Sequence, residues 1–90
     1  YERHLQMNGG IIAKKNTSNS LSASEGTVFI TNGTAGGNPT GPGGKEVPTI
    51  AFTPEKSMYS FAIMDITTAS VKYQVFDTDK KLIDSFMLTK

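Results

Sequence analysis

The last third of the chain has the clearest pattern of hydrophobic and polar positions. Three strand-like runs, "SMYSFAIMDI", "SVKYQVF" and "KLIDSFML", are separated by the short, turn-rich connectors "TTA" and "DTDK". In the middle run, apolar residues alternate with Lys72 and Gln74, which is the period of two expected of a half-buried strand. The pattern predicts a three-stranded antiparallel meander over Ser57–Leu88, with the following side chains buried: Tyr59, Phe61, Ile63, Val75 and Phe86.

The first of these three runs is apolar on both faces of the predicted strand. One face carries Tyr59, Phe61 and Ile63, and the other carries Met58, Ala62, Met64 and Ile66. Such a strand needs cover on both sides, which a lone meander does not provide. We therefore expect a part of the protein outside these ninety residues, or a second copy of the chain, to pack against it.

The first half of the chain carries fewer signals of regular structure. It is rich in Gly, Ser, Thr and Asn, and one β-type run, "TVFITN", interrupts it. We expect a loop-rich start over residues 1–26, including an exposed loop at "KKNTSNSLSASEG", and then a strand over residues 27–32. A long Gly/Pro loop should occupy residues 33–56, with no regular element over Gly33–Val47. No segment is typical of a helix, although "HLQM" is compatible with the start of a helical turn.

Composition narrows the class of protein without assigning a function. Ninety residues form one small domain or part of a larger one, and the absence of cysteine excludes disulfides and thiolate metal sites. The net charge of +1 is too small to indicate nucleic-acid binding. No apolar run approaches the roughly 20 residues of a membrane span. The sequence therefore predicts a β-rich segment that binds no nucleic acid and spans no membrane.

The sequence offers no self-sufficient active site and no metal ligand set. His4 is the only histidine, and we interpret it as non-catalytic because no second histidine or carboxylate pair accompanies it. Asp77 and Asp79 have calcium-ligand chemistry, but their place between two strands favours an ordinary polar turn. The segment "PTGPGGKE" fails both ends of the phosphate-binding loop pattern, so we expect no nucleotide site. Asn16 and Asn32 each begin a possible N-glycosylation sequon.

Three segments of the chain occur in an order that is known from one enzyme family. They are "YER" at residues 1–3, "VFITNGTAGG" at residues 28–37 and "DTDKKLIDSFMLTK" at residues 77–90. In this order and spacing the chain resembles the C-terminal part of a purple acid phosphatase, a calcineurin-like metallophosphoesterase. In that family, Tyr-Glu-Arg directly follows a Gly-His-x-His-x segment that carries the last metal-binding histidines. The resemblance extends over nearly the whole chain.

The resemblance implies that this chain is part of a larger acid phosphatase. It implies an αβ-βα sandwich in which a dinuclear centre, Fe(III) with Fe, Zn or Mn, clamps phosphate and generates a hydroxide nucleophile for phosphomonoester hydrolysis. Residues 1–90 would then be the C-terminal part of the catalytic domain, with every metal ligand upstream of Tyr1 and no cofactor bound by this chain itself. Tyr1, Glu2 and Arg3 would be near-site residues that orient the histidine loop or simply hold it in place. The resemblance also implies a secreted, extracytoplasmic protein.

The alternative is a non-enzymatic β-rich module that assembles through strand edges. The expected partner is accordingly the upstream catalytic segment of the same protein or another copy of the chain. A phosphomonoester would be the substrate of the parent enzyme, and the isolated chain should be inactive. An upstream Gly-His-x-His sequence would support the phosphatase hypothesis, whereas a native start at Tyr1 would support the alternative.

Overall fold

The computed structural model describes residues 1–33, 47–56 and 58–90. Within these ranges the chain forms short strands at its start and long strands at its end, together with one 3₁₀ helix. In chain order they are β1 (Glu2–His4), β2 (Gln6–Asn8), β3 (Ile11–Lys14), β4 (Ser20–Ser22), the 3₁₀ helix (Ala23–Glu25), β5 (Ile30–Thr31), β6 (Ile50–Phe52), β7 (Ser60–Ile66), β8 (Ser70–Asp77) and β9 (Leu82–Thr89).

The described strands form three sheets. β5, β1 and β6 make a three-stranded antiparallel sheet in that order, and β2 pairs with β3 in a hairpin. The largest sheet has the order β4-β9-β8-β7, in which β9, β8 and β7 are antiparallel and β4 runs parallel to β9. The prediction of a β-rich segment with antiparallel pairing is therefore confirmed.

The predicted meander is present as β7, β8 and β9, and its two turns are short. Thr67 N–H donates to Ser70 O at 2.8 Å to close the first turn. In the second turn, Asp77 Oδ1 accepts hydrogen bonds from the N–H groups of Asp79 and Lys81, both at 2.9 Å. Asp77 and Asp79 thus lie in the polar turn that the sequence predicts. Ser57 lies outside the described residues, and the first strand begins at Ser60.

The meander supplies most of the hydrophobic core. Tyr73 and Val75 of β8, Phe86 of β9 and Leu21 of β4 form the buried cluster, and the rings of Tyr73 and Phe86 stack at 5.3 Å. Partly buried side chains that pack against this cluster include Tyr1, Val28 and Ile30. The three-stranded sheet and its flanking residues thus cover one face of the largest sheet. Burial of Val75 and Phe86, as predicted, is confirmed.

Three of the predicted core residues are not buried. Tyr59, Phe61 and Ile63 are 42%, 43% and 48% exposed. β7 is the last strand of its sheet, and the three-stranded sheet packs on the other face near β8 and β9. The prediction of burial was wrong because, among the described residues, the core packs against the face of β7 that carries Ala62 and not against the face that carries these three side chains.

The loop-rich start predicted for residues 1–26 is also wrong in part, because four strands lie there. The predicted exposed loop contains Leu21, which is only 3% exposed, and β4 pairs with β9 around this residue. A single leucine among polar residues forms no periodic hydrophobic pattern, so the sequence gives no signal for a strand here. Leu21 is buried because β4 pairs with β9. The "HLQM" segment extends from β1 into β2 and is not helical, because Leu5 and Gln6 are buried by tertiary contacts.

The predictions for the middle of the chain need two corrections. The strand predicted over residues 27–32 is shorter, with regular pairing only at Ile30–Thr31 and an isolated bridge between Thr27 and Met7. The loop predicted over residues 33–56 contains β6, whose Ile50 and Phe52 pair with β1. The prediction that Gly33–Val47 has no regular element concerns residues 34–46, which lie outside the described residues.

Gly26 is the glycine that the fold constrains most directly. Its φ is +134°, and a Cβ atom built there would lie 2.8 Å from the carbonyl oxygen of Met7. This close approach accompanies the bridge between Met7 and Thr27, and Gln6 Nε2 donates to the Gly26 carbonyl at 3.0 Å. A side chain at this position is therefore excluded by both the backbone conformation and the backbone of β2.

We expect Gly26→Ala to lower the free energy of unfolding by about 1–3 kcal/mol, measured by denaturant titration. Gly33→Ala is the matched control, because no atom of the described residues lies within 4 Å of its Cβ position. This control should stay within about 0.5 kcal/mol of the parent chain. Equal effects of the two substitutions would contradict the close packing of Gly26 on β2.

Candidate functional site

The residues that the sequence marks as near-site, Tyr1, Glu2 and Arg3, lie at the start of the chain and in the central strand of the three-stranded sheet. β1 is bordered by β5, where Glu2 pairs with Thr31, and by β6. Arg3 is only 2% exposed, whereas Tyr1 and Glu2 are partly buried. Strand alternation turns Arg3 inward and leaves Glu2 on the opposite face.

Arg3 forms a buried ion pair with Asp84 of β9. Arg3 Nε donates to Asp84 Oδ2 at 2.8 Å, and Nη2 donates to Oδ1 at 3.3 Å. The side chains of Arg3 and Asp84 are 2% and 5% exposed. Because two guanidinium nitrogens bind the two carboxylate oxygens, the contact is bidentate, and it is therefore strong and directional. It joins the first strand of the chain to the last one.

The Arg3 guanidinium makes two further contacts. Nη1 donates to the carbonyl oxygen of Ser18 at 3.3 Å, and Cζ lies 5.4 Å from the centroid of the Phe86 ring. Phe86 and Asp84 are two residues apart on β9, so both side chains point to the same face of the sheet. The buried charge of Arg3 is therefore balanced by the carboxylate and also faces an aromatic ring.

Tyr1 binds the same carboxylate oxygen that accepts from Arg3 Nε. Its hydroxyl donates to Asp84 Oδ2 at 2.8 Å, and its ring lies 6.2 Å from the ring of Phe52. The pKa of Tyr1 is raised well above its usual value. Burial of the hydroxyl is the larger cause, and the nearby negative charge of Asp84 is the second. Tyr1 thus stays protonated and donates to Asp84 at any ordinary pH. We call Tyr1, Arg3 and Asp84 the carboxylate cluster.

Glu2 and His4 lie outside the carboxylate cluster. His4 Nε2 lies 3.8 Å from Glu2 Oε2, and His4 Nδ1 is hydrogen-bonded to Thr49 Oγ1 at 3.0 Å. His4 borders an open groove of about 730 Å³ that also includes Asn8 and Phe29. These contacts give the imidazole a structural role between β1 and the segment before β6.

The residues described here do not fit a dinuclear metal centre. Within residues 1–33, 47–56 and 58–90, no group of three or more His, Cys, Asp or Glu side chains could hold a metal ion. The carboxylate of Asp84 is occupied by Arg3 and Tyr1, and His4 has one nearby carboxylate. The chemistry of a metal pair therefore has no donor set in this part of the chain.

Both sequon asparagines make side-chain hydrogen bonds. Asn16 Oδ1 accepts from Ser18 N–H at 2.9 Å, and Asn16 Nδ2 donates to Ser20 O at 3.2 Å. Asn32 Oδ1 accepts from Ser60 Oγ at 2.9 Å and thereby connects the end of β5 to the start of β7. Glycosylation of either residue stays a prediction.

Along the described parts of the chain, no helix is long and apolar enough to cross a membrane.

Asp84 is the residue of the candidate site that sequence reasoning missed. The sequence contained a usable signal, because Asp84 has the same phase along β9 as Phe86, which was predicted to be buried. An aspartate in an inward-facing position needs a charged or hydrogen-bonding partner. Its partner could not be identified from the sequence, since Arg3 lies at the opposite end of the chain.

No family model, curated protein or solved structure matches this chain. The relationship to purple acid phosphatases accordingly stays a prediction that depends on the three segments quoted above.

We expect Asp84→Asn to lower the free energy of unfolding by about 3–5 kcal/mol, because it leaves the Arg3 guanidinium buried without a countercharge. Denaturant titration measures the change. Glu25→Gln is the matched control, since Glu25 pairs with Lys14 at the surface, where the Lys14 side chain is 49% exposed. This exposed pair should contribute at most about 1 kcal/mol. Similar losses for both variants would contradict a buried, unscreened pair at Asp84.

The raised pKa of Tyr1 predicts a dependence of stability on alkaline pH. Because the folded state holds the Tyr1 proton more tightly than the unfolded chain does, this contribution is complete below the unfolded pKa of about 10 and decreases as the pH rises above it. We expect Tyr1→Phe, which has no proton to lose, to show a shallower loss of unfolding free energy between about pH 10 and pH 12. Tyr59→Phe serves as the control at an exposed position, and its profile should match that of the parent chain. Parallel curves for all three proteins would show that Tyr1 does not contribute.

Proposed function

We propose that this chain is the C-terminal scaffold segment of a purple-acid-phosphatase-like enzyme that hydrolyses phosphomonoesters. On this proposal the ligands of the dinuclear metal centre lie upstream of Tyr1. The chain itself supplies no ligand and no catalytic residue. Its contribution is a rigid β-sheet support for the segment that leads into Tyr1.

The observation that supports the proposal is that the three segments resembling purple acid phosphatases contact one another in the fold. β1, which begins at Glu2 of the "YER" segment, pairs with β5 of the "VFITN" segment through Glu2–Thr31 and Arg3–Ile30. Tyr1 and Arg3 also bind Asp84 of the "IDSF" segment. Segments that are far apart in sequence but joined by buried polar contacts form one structural unit, and this unit supports a common role for them.

In this proposal the carboxylate cluster fixes the position of the chain just before β1. Arg3 and Tyr1 are held by a carboxylate that is itself part of β9, a strand paired on both sides by β4 and β8. A loop that enters β1 would therefore start from a fixed point. Such support is what the orientation of metal-binding histidines requires, because ligands must keep their geometry between turnovers.

The proposal also accounts for the apolar residues of β7 if the remainder of an αβ-βα sandwich covers them. Tyr59, Phe61 and Ile63 are each more than two-fifths exposed within this chain. An extracytoplasmic location, with glycans at Asn16 or Asn32, belongs to the same proposal and follows from the family resemblance.

The proposal predicts a sharp difference between the isolated chain and a longer protein. The ninety residues alone should bind no stoichiometric iron or zinc, and they should hydrolyse p-nitrophenyl phosphate no faster than buffer. Addition of the upstream segment, covalently or as a nicked complex, should restore both properties, because the metal ligands then are present. Metal analysis and a colorimetric assay measure the two quantities.

Arg3→Ala in the restored enzyme provides the more specific test. We expect loss of folding or of metal retention that exceeds any change in substrate preference, since Arg3 contacts Asp84 and Ser18 within the scaffold. Tight metal binding with turnover by the ninety residues alone would place the active site elsewhere and overturn the proposal. A longer native protein without metal binding would favour a non-enzymatic β module.

A further inference from the structure

The outer edge of β7 is open in the described part of the chain. β7 is the terminal strand of the order β4-β9-β8-β7, so one side of its backbone faces away from the sheet. Natural edge strands are usually protected by lysine, proline or a bulge. β7 has the sequence "SFAIMDI", with neither lysine nor proline, a regular register against β8 and Asp65 as its single charge.

The register identifies which backbone groups point outward. Thr67 N–H donates to Ser70 O, and the same pairing continues as Ile66–Val71 and Asp65–Lys72. Opposite residues of an antiparallel pair alternate between hydrogen-bonded and non-hydrogen-bonded positions. Asp65 and Ile63 are therefore bonded to β8, while the N–H and C=O groups of Ala62, Met64 and Ile66 point to the open side.

We propose that two copies of this chain associate by antiparallel pairing of their β7 strands across a two-fold axis. Such an axis places residues of the same phase opposite one another, so the outward groups of one strand meet the outward groups of the other. An identical strand therefore supplies a donor and an acceptor at each pairing position. The result is a continuous eight-stranded sheet built from two copies of the β4-β9-β8-β7 sheet.

The outward-pointing groups of Ala62, Met64 and Ile66 set a register centred on Met64. Met64 then lies opposite Met64 of the second copy, and Ala62 lies opposite Ile66. Asp65 lies opposite Ile63 of the second copy, so the two carboxylates do not face each other. A parallel, in-register pairing would instead place Asp65 beside Asp65 of the second copy, which costs energy through like-charge repulsion.

The exposed area indicates a weak dimer. Tyr59, Phe61, Ile63, Met64 and Ile66 are 42–68% exposed. At about 150–200 Å² for each large side chain, they expose roughly 400–500 Å² per copy, and edge-to-edge pairing covers only part of this area because the faces of the sheet stay open. A stable complex of standard size buries about 800 Å² per partner. We therefore infer a concentration-dependent dimer, and this inference stands independently of the proposed phosphatase function.

Sedimentation equilibrium of the ninety-residue chain from about 10 μM to about 1 mM tests the proposal. The parent chain should shift from monomer to dimer over this range. Met64→Pro should remain folded, because proline removes an N–H that points outward and leaves the bonds to β8 intact. We expect its dissociation constant to rise by at least about tenfold, since it loses hydrogen bonds across the two-fold axis.

A pair of identical substitutions keeps the test valid if Met64→Pro fails to fold. Met64→Lys places a charge at the open edge, whereas Met87→Lys makes the same change on β9, which is paired on both sides. Only Met64→Lys should weaken the dimer, again by at least about tenfold. A monomeric parent chain at the highest concentration, or equal association of the two lysine variants, would overturn the proposal.

Discussion

A guanidinium and a carboxylate, buried together with Nε and Oδ2 at 2.8 Å, couple the first strand of this chain to its last. Each of these side chains is 5% exposed or less, so burying either charge alone would be unfavourable. The free energy lost with hydration is offset only by an oppositely charged partner. The three-stranded sheet must therefore dock on the meander in the one orientation that brings Arg3 to Asp84. Tyr1 and Ser18 make further hydrogen bonds to the pair, so the constraint extends to the residues that precede β1 and β4.

This polar contact matters more because the hydrophobic core is small. Among the described residues, its buried apolar cluster comprises four side chains, Leu21, Tyr73, Val75 and Phe86, and a chain of this length leaves a large share of its surface exposed. The Phe86 ring contacts both the hydrophobic core and the ion pair, since it stacks on Tyr73 and also lies under the Arg3 guanidinium. The ion pair and the core are thus adjacent parts of one interface, while the apolar surface of β7 remains uncovered within the described chain.

Sequence reasoning succeeded where structure is determined by neighbours along the chain. The alternation at Val71–Val75 and the short connectors led to the correct meander, including the burial of Val75 and Phe86. It failed where a strand depends on distant pairing, as for β4 around Leu21 and β6 around Ala51. For the site, residues 1–3 were singled out by resemblance alone, and Asp84 was missed because a partner at the other end of the chain leaves no local pattern.

The central claim is that Asp84 holds β1 on the meander, and native-state hydrogen exchange of the Asp84→Asn variant tests it most directly. The amides of His4 and Leu5 report on β1, since they donate to Phe29 O at 2.9 Å and Thr49 O at 2.7 Å. Amides of β8, which pairs with both β7 and β9, report on the meander. The account predicts that exchange at His4 and Leu5 accelerates much more than exchange at Tyr73 and Val75, because the three-stranded sheet should detach first. Equal acceleration at all four amides, or unchanged protection of His4 and Leu5, would contradict it.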